Sequence, residues 1–266
     1  MLKLNAYQLK WIAILAMFSF HLSYALRDIM PVWLLIPMQI VGGLTFPIMA
    51  YFVVEGYRHT SNLKRYILRL FIFGAISIPL YILTVNVAFL NIMFAIIFSL
   101  LILAMYDRIR IKPLFWLIFI VICLPLSMLL DWIIMGPITV LLYHVIKNET
   151  ARRIIPSIVA GGMWTLLGLN SFLGLRHMYY LQDMHGYNMQ EGIDMIYAMT
   201  GNAHTVFALM FFGLSCVVAG ILILNFNGER GKPMKWLFYS FYPLHLAIIL
   251  VIMILFGIAD FSAFGF

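Results

Sequence analysis

Residues 203–224 read Ala-His-Thr-Val-Phe-Ala-Leu-Met-Phe-Phe-Gly-Leu-Ser-Cys-Val-Val-Ala-Gly-Ile-Leu-Ile-Leu, a run without one Asp, Glu, Lys or Arg. As a helix it would rise about 33 Å, which matches the hydrocarbon core of a bilayer at about 30 Å. Working outward, similar runs fall at about 9–26, 32–56, 66–84, 88–106, 113–130, 132–146, 154–170 and 236–258. The stretch quoted is therefore one of nine. Of the 266 residues, 64% are hydrophobic and 10% charged, with a mean hydropathy of +1.01. No water-soluble core and shell accommodates that composition, so the expected fold is all-α: a polytopic membrane helix bundle of about nine transmembrane helices. The helices and their short connections use the whole length, giving a single domain over 1–266.

Charge supplies an independent check on the count. The net charge is +7, from 17 Lys and Arg against 10 Asp and Glu. With nine spans and the amino terminus inside, the inner segments hold Lys3 and Lys10; Arg58, Lys64, Arg65 and Arg69; Arg108, Arg110 and Lys112; Lys147, Arg152 and Arg153; and Arg230, Lys232 and Lys235. The outer segments hold only Arg27 and Arg176. This is the positive-inside bias, and it predicts the amino terminus in and the carboxyl terminus out. The same bias explains the basic balance as topology, so no nucleic-acid partner is expected. The first apolar run lacks a small-residue cleavage site and is expected to remain as a span.

The longest non-apolar stretch, about 171–202, carries Arg176, His177, Asp183, His185, Glu191 and Asp194 and is expected as an outer loop. Loops of that length serve as lids or docking surfaces, or as plain caps. There is no internal repeat and no matched pair of broken helices, which argues against a secondary transporter. Cys123 and Cys216 sit in apolar runs away from metal-ligand spacing, so no metal is expected.

Ionisable groups inside spans are costly and each asks for a reason. His21 lies past the middle of the first run; His245, beside Pro243, lies about ten residues into the last. Both are candidate catalytic histidines, and each has a bland alternative as a bundle hydrogen bond. Glu55 closes the second run, after which Ser61-Asn62 can cap a helix whose first turns carry Lys64, Arg65 and Arg69. Together with Arg58 these form a candidate phosphate site at a helix amino terminus. Arg69 sits about 10 Å below the cap at Asn62, deeper than topology requires, with Glu55 as its nearest candidate partner. The remaining histidines, His59, His144, His177, His185 and His204, read as solvated or structural. A phosphate-bearing acyl donor such as acetyl-CoA, anchored at the basic group with its thioester toward His21, would make this a membrane group-transfer site. The competing class is a non-enzymatic permease or assembly factor.

Four segments carry a resemblance: Leu9 to His21; Phe46-Pro47 through Glu55-Gly56-Tyr57-Arg58-His59-Thr60; Asn62 to Leu70; and Lys235 through Pro243-Leu244-His245-Leu246. Together they resemble the TraX family, named for the membrane protein that acetylates the amino terminus of F-type pilin. That family is similar in turn to the wider transmembrane acyltransferase superfamily. The resemblance implies a multi-pass protein of the bacterial inner membrane that moves an acetyl group from cytoplasmic acetyl-CoA to an amine or hydroxyl acceptor at the membrane or outside. A peptide amino terminus or a glycan would be such an acceptor, with membrane lipids as the surroundings. It makes His21 the catalytic histidine and Arg58, Lys64, Arg65 and Arg69 the donor-binding group. Family members usually place an aspartate just before the histidine; here that position is Phe20, and Asp131 is a candidate substitute.

Overall fold

The computed structural model describes residues 3–85, 90–185, 188–200, 203–259 and 261. Among these it is all-helical. The chain enters α1 (Ala6–Ala25) through a capping box, in which Asn5 Oδ1 accepts from the Gln8 amide and the Gln8 side chain accepts from the Asn5 amide. The run at 32–56 is broken. It forms α2 (Val32–Val41), one 3-10 turn (Gly42–Leu44) and α3 (Thr45–His59). The break sits where other helices come close: a Cβ on Gly42 would lie 2.6 Å from the Phe20 ring, and one on Gly43 would meet the Phe212 carbonyl.

Next come α4 (Leu63–Val85) and α5 (Ile92–Arg108). Asn62 caps α4 as expected, accepting from the Arg65 amide at 2.9 Å. Asn91 caps α5 and also donates to Gly74 O of α4 at 2.9 Å, pinning the two together. After α6 (Lys112–Ile118) the helix widens to a π turn at Phe119–Cys123 before α7 (Leu124–Ser127). Pro125 explains the widening, because its ring cannot fit against a regular turn and it donates no N–H. Trp132 and Ile133 then take φ of +64° and +33°, and α8 (Met135–Val145) returns alongside α5.

The stretch expected as an outer loop is mostly helix. α9 (Glu149–His185) runs for 37 residues, about 55 Å, and α10 (Gln190–Thr200) folds back on its end through Leu175, Ile193 and Val206. Residues 186–187 and 201–202 of that stretch lie outside the described residues. α11 (Ala203–Leu224) pairs closely with α9 along Gly161, Gly168, Gly213 and Gly220, and α12 (Lys235–Leu255) packs on α1 and α4.

Among the described residues, five stretches are long and apolar enough to cross a membrane: Val32–His59, Leu63–Val85, Glu149–His185, Ala203–Leu224 and Trp236–Leu255. This is a membrane protein by composition and architecture. α1 has the length but is diluted by Gln8, Lys10 and His21, while α8, with 11 residues or about 16 Å, covers about half the core thickness alone. The core lies between α1, α3, α5, α8 and α12, where Phe46, Ile48, Leu100, Tyr143, Tyr242 and Leu246 are all buried.

Candidate functional site

Lys10 and His21 are eleven residues apart, about three helical turns, so α1 presents both on one face some 16 Å apart along its axis. On α12, Phe238, Tyr242 and His245 share a face by the same arithmetic. The two faces meet. His21 and His245 are buried with ring centroids 5.0 Å apart, and His245 Nε2 lies 3.1 Å from His21 Nδ1. The Tyr242 ring packs edge-on against both, at 6.3 Å and 5.3 Å, while Phe241 stacks on His245.

Toward the end of the bundle where α1 and α12 begin, the same two helices open onto a cavity of about 760 Å³. Six cations line it: Lys10, Arg69, Arg152, Arg153, Arg230 and Lys232. Two carboxylates compensate part of that charge. Glu55 pairs with Arg152 at 3.1 Å and Glu149 with Arg153. Among the described residues, Lys10, Arg69, Arg230 and Lys232 have no ion pair. Arg230 lies close enough to Lys10 to repel it, and Lys10 is held between the Phe52 and Phe238 rings at 5.1 and 5.3 Å. Arg69 sits over the Tyr239 ring with its Nε buried and unpartnered. Like charges gathered around aromatic faces in a recess have the chemistry to hold a polyanion.

A family model described as TraX protein matches residues 5–253. The chain belongs to the TraX family. It is 42% identical over 78 residues to the "Probable fimbrial assembly protein FimC, serogroup H1" of Dichelobacter nodosus. That match covers 29% of this chain and 31% of the relative, so the chain spans less than a third of that protein in the alignment. No solved structure matches.

In this TraX-family chain the four expected donor residues part company. Arg69 lines the cavity. Arg58 instead donates to the His144 carbonyl at 2.9 Å and the Tyr143 carbonyl at 3.4 Å, bracing α3 against the end of α8. Lys64 and Arg65 are exposed on the first turn of α4, outside the cavity lining. Glu55 lines the cavity but serves Arg152 and Arg58 rather than Arg69. Lys10, Arg152, Arg153, Arg230 and Lys232 were legible only as topology charges; the shared face of Lys10 and His21 was the one available signal.

Asp131 caps the turn before α8, accepting from the Trp132 amide at 2.9 Å. It is close enough to Tyr81 and Tyr242 to act on them electrostatically, and the Tyr242 ring in turn packs against both histidines. Phe20 packs on Phe212 and Tyr24, giving His21 no polar partner. A further cluster lies beside α8, where His144 Nε2 and the Tyr57 hydroxyl each lie 2.8 Å from Asp107. Among the described residues no group of His, Cys, Asp and Glu is arranged to hold a metal.

Proposed function

We propose that this protein is a membrane acetyltransferase that takes an acetyl group from cytoplasmic acetyl-CoA and delivers it to an amine or hydroxyl acceptor at the membrane or outside. The observation that carries this reading is the cavity of uncompensated cations opening on the two helices that also bear the histidine pair. Lys10 and Arg69 lie deeper and Arg230 and Lys232 on the loop that follows α11, so separated phosphates of one donor have separate partners. The acyl arm then runs along α1 and α12 toward His21. The acceptor's N–H or O–H proton passes to the imidazole as its nitrogen or oxygen bonds to the acetyl carbon. The C–S bond breaks, and the proton returns to the sulfur, releasing the CoA thiol.

The resemblance of the TraX family to the transmembrane acyltransferase superfamily supports the same chemistry, and the bias of basic residues supports a cytoplasmic donor side in a bacterial inner membrane. The name of the FimC relative supports a pilus or fimbrial setting, with a peptide amino terminus among the acceptors. It also favours the second reading, an assembly factor without catalysis.

Purified protein in detergent, given radiolabelled acetyl-CoA and membrane extract, should transfer label. His21→Gln should bind acetyl-CoA yet transfer none, since glutamine keeps one hydrogen bond but is no base at neutral pH. Full transfer by His21→Gln would remove His21 as the base, and no consumption of acetyl-CoA by the wild-type protein would return the protein to the assembly reading. Mass comparison of envelope proteins and glycans with and without the chain identifies the acceptor by its lost acetyl group.

A further inference from the structure

His21 and His245 are each tied to the carbonyl one turn back on their own helix. His21 Nδ1 lies 3.0 Å from Met17 O, and His245 Nδ1 lies 2.9 Å from Phe241 O. A third contact of 3.1 Å joins His245 Nε2 to His21 Nδ1. A carbonyl only accepts, so each Nδ1 must carry a hydrogen. With His245 protonated at Nδ1, the Nε2 of its neutral ring is a lone pair, and it faces the same N–H that Met17 O accepts.

One assignment satisfies all three contacts: two neutral imidazoles, with the His21 Nδ1 hydrogen shared between Met17 O and His245 Nε2. Were His245 to donate from Nε2, His21 Nδ1 would have to be bare, and its lone pair would then face the Met17 carbonyl at 3.0 Å. A cationic His245 meets the same conflict. The nitrogen left unprotonated on His21 is Nε2.

We propose, on the acetyl-transfer reading, that His245 is a positioning residue: it holds His21 in the tautomer whose Nε2 is the base and stabilises the cation formed there. When Nε2 takes the acceptor's proton, His21 becomes an imidazolium and its Nδ1–H a stronger donor. His245 Nε2 accepts that strengthened bond, and it relaxes when the proton passes on to the leaving sulfur. A neutral imidazole thus takes the orienting place that a carboxylate holds in a Ser-His-Asp triad. Asp131 does not hold that place: its carboxylate accepts from the Trp132 amide, while His21 Nδ1 is met by Met17 O and His245 Nε2.

The test begins with wild-type protein carrying 15N-labelled histidine in lipid, its His21 resonances assigned by their loss in His21→Gln. The nitrogen spectrum should show Nδ1 protonated and Nε2 bare. His245→Leu should lower kcat about ten- to hundredfold with the KM for acetyl-CoA unchanged, the size of losing one hydrogen bond to a charged group. His245→Gln, whose amide oxygen can accept from Nδ1–H, should recover part of that loss. An Nε2–H tautomer at His21 in the wild-type protein, a wild-type kcat in His245→Leu, or a Gln variant no faster than Leu would each overturn the assignment. Failure of the acetyl-transfer reading is distinct: wild-type protein would consume no acetyl-CoA, while the nitrogen spectrum would still decide the tautomer.

Discussion

Oε1 of Glu55 accepts from Nη1 of Arg152 across 3.1 Å, and Arg58 lies 3.6 Å from the same oxygen. The carboxylate closing α3 is therefore engaged by α9 and by its own helix, and Arg69 faces the cavity without it. Both sides of the Arg152 contact are mostly buried, with 12% and 26% side-chain exposure. Removing one member of such a pair leaves an uncompensated charge. Glu55→Ala should lower stability by about 1–3 kcal/mol. Glu149→Ala, whose carboxylate is 64% exposed, should fall within about 0.5 kcal/mol of wild type. Thermal unfolding in detergent compares them, and equal effects would show that the Glu55 pair is not a brace.

Donor binding separates Arg69 from Arg65. Arg69 points into the cavity with an unpartnered buried Nε, whereas Arg65 is exposed on the first turn of α4. A charge-assisted hydrogen bond to phosphate contributes about 1.5–3 kcal/mol. Arg69→Ala should therefore weaken acetyl-CoA binding about ten- to hundredfold, and Arg65→Ala should leave it within about twofold. Equilibrium binding of labelled acetyl-CoA checks both, and a loss confined to Arg65→Ala would move the donor site onto the surface of α4.

How much of this was legible depended on the range of the interaction. Hydropathy marks the apolar runs that became helices, though not α10, which lies within the polar stretch at 171–202, and Asn62 is readable as a cap because its partner is three residues away. The break at Gly42–Gly43 was not, since it answers to Phe20 and Phe212 on other helices. Hydropathy also stops at the polar residues of 171–185, although the backbone of α9 continues through them. At the site, burial cost singled out His21 and His245 separately, but their contact joins positions 224 residues apart. The cavity cations were hidden for another reason: the positive-inside bias puts Lys and Arg at that end whether or not they bind anything.

The pairing of α9 with α11 makes a stability prediction with an internal control. A Cβ added to Gly213 would run into the Gly161 carbonyl and the Thr165 hydroxyl, with helix backbone on one side that cannot move aside cheaply. Gly162, its neighbour on α9, has nothing within 4 Å of the same added atom. Gly213→Ala should cost about 1–3 kcal/mol as overpacking, while Gly162→Ala should be neutral or slightly stabilising in a helix. Protease resistance and unfolding temperature distinguish them. A neutral Gly213→Ala would mean that α9 and α11 sit farther apart than this contact requires.

Topology is the remaining prediction, and several hydrogen bonds now bear on it. Leu4 pairs with Asn225 and Asn227, Arg153 with the Phe226 carbonyl, Arg58 with the His144 carbonyl, and His144 with Asp107. These contacts gather the start of α1 and α9 and the ends of α3, α5, α8 and α11 at one end of the bundle, the end that holds the basic cavity. Inverting any one hairpin would break several of them and carry Lys and Arg to the far side. With the basic end cytoplasmic, reporter fusions at about residues 110 and 230 should read inside and one at about 185 outside. Fusions at about 86 and 266, positions outside the described residues, should also read outside on the same bias. A cytoplasmic reading at 185 would place both ends of α9 on one side and overturn the orientation and the cytoplasmic donor site together.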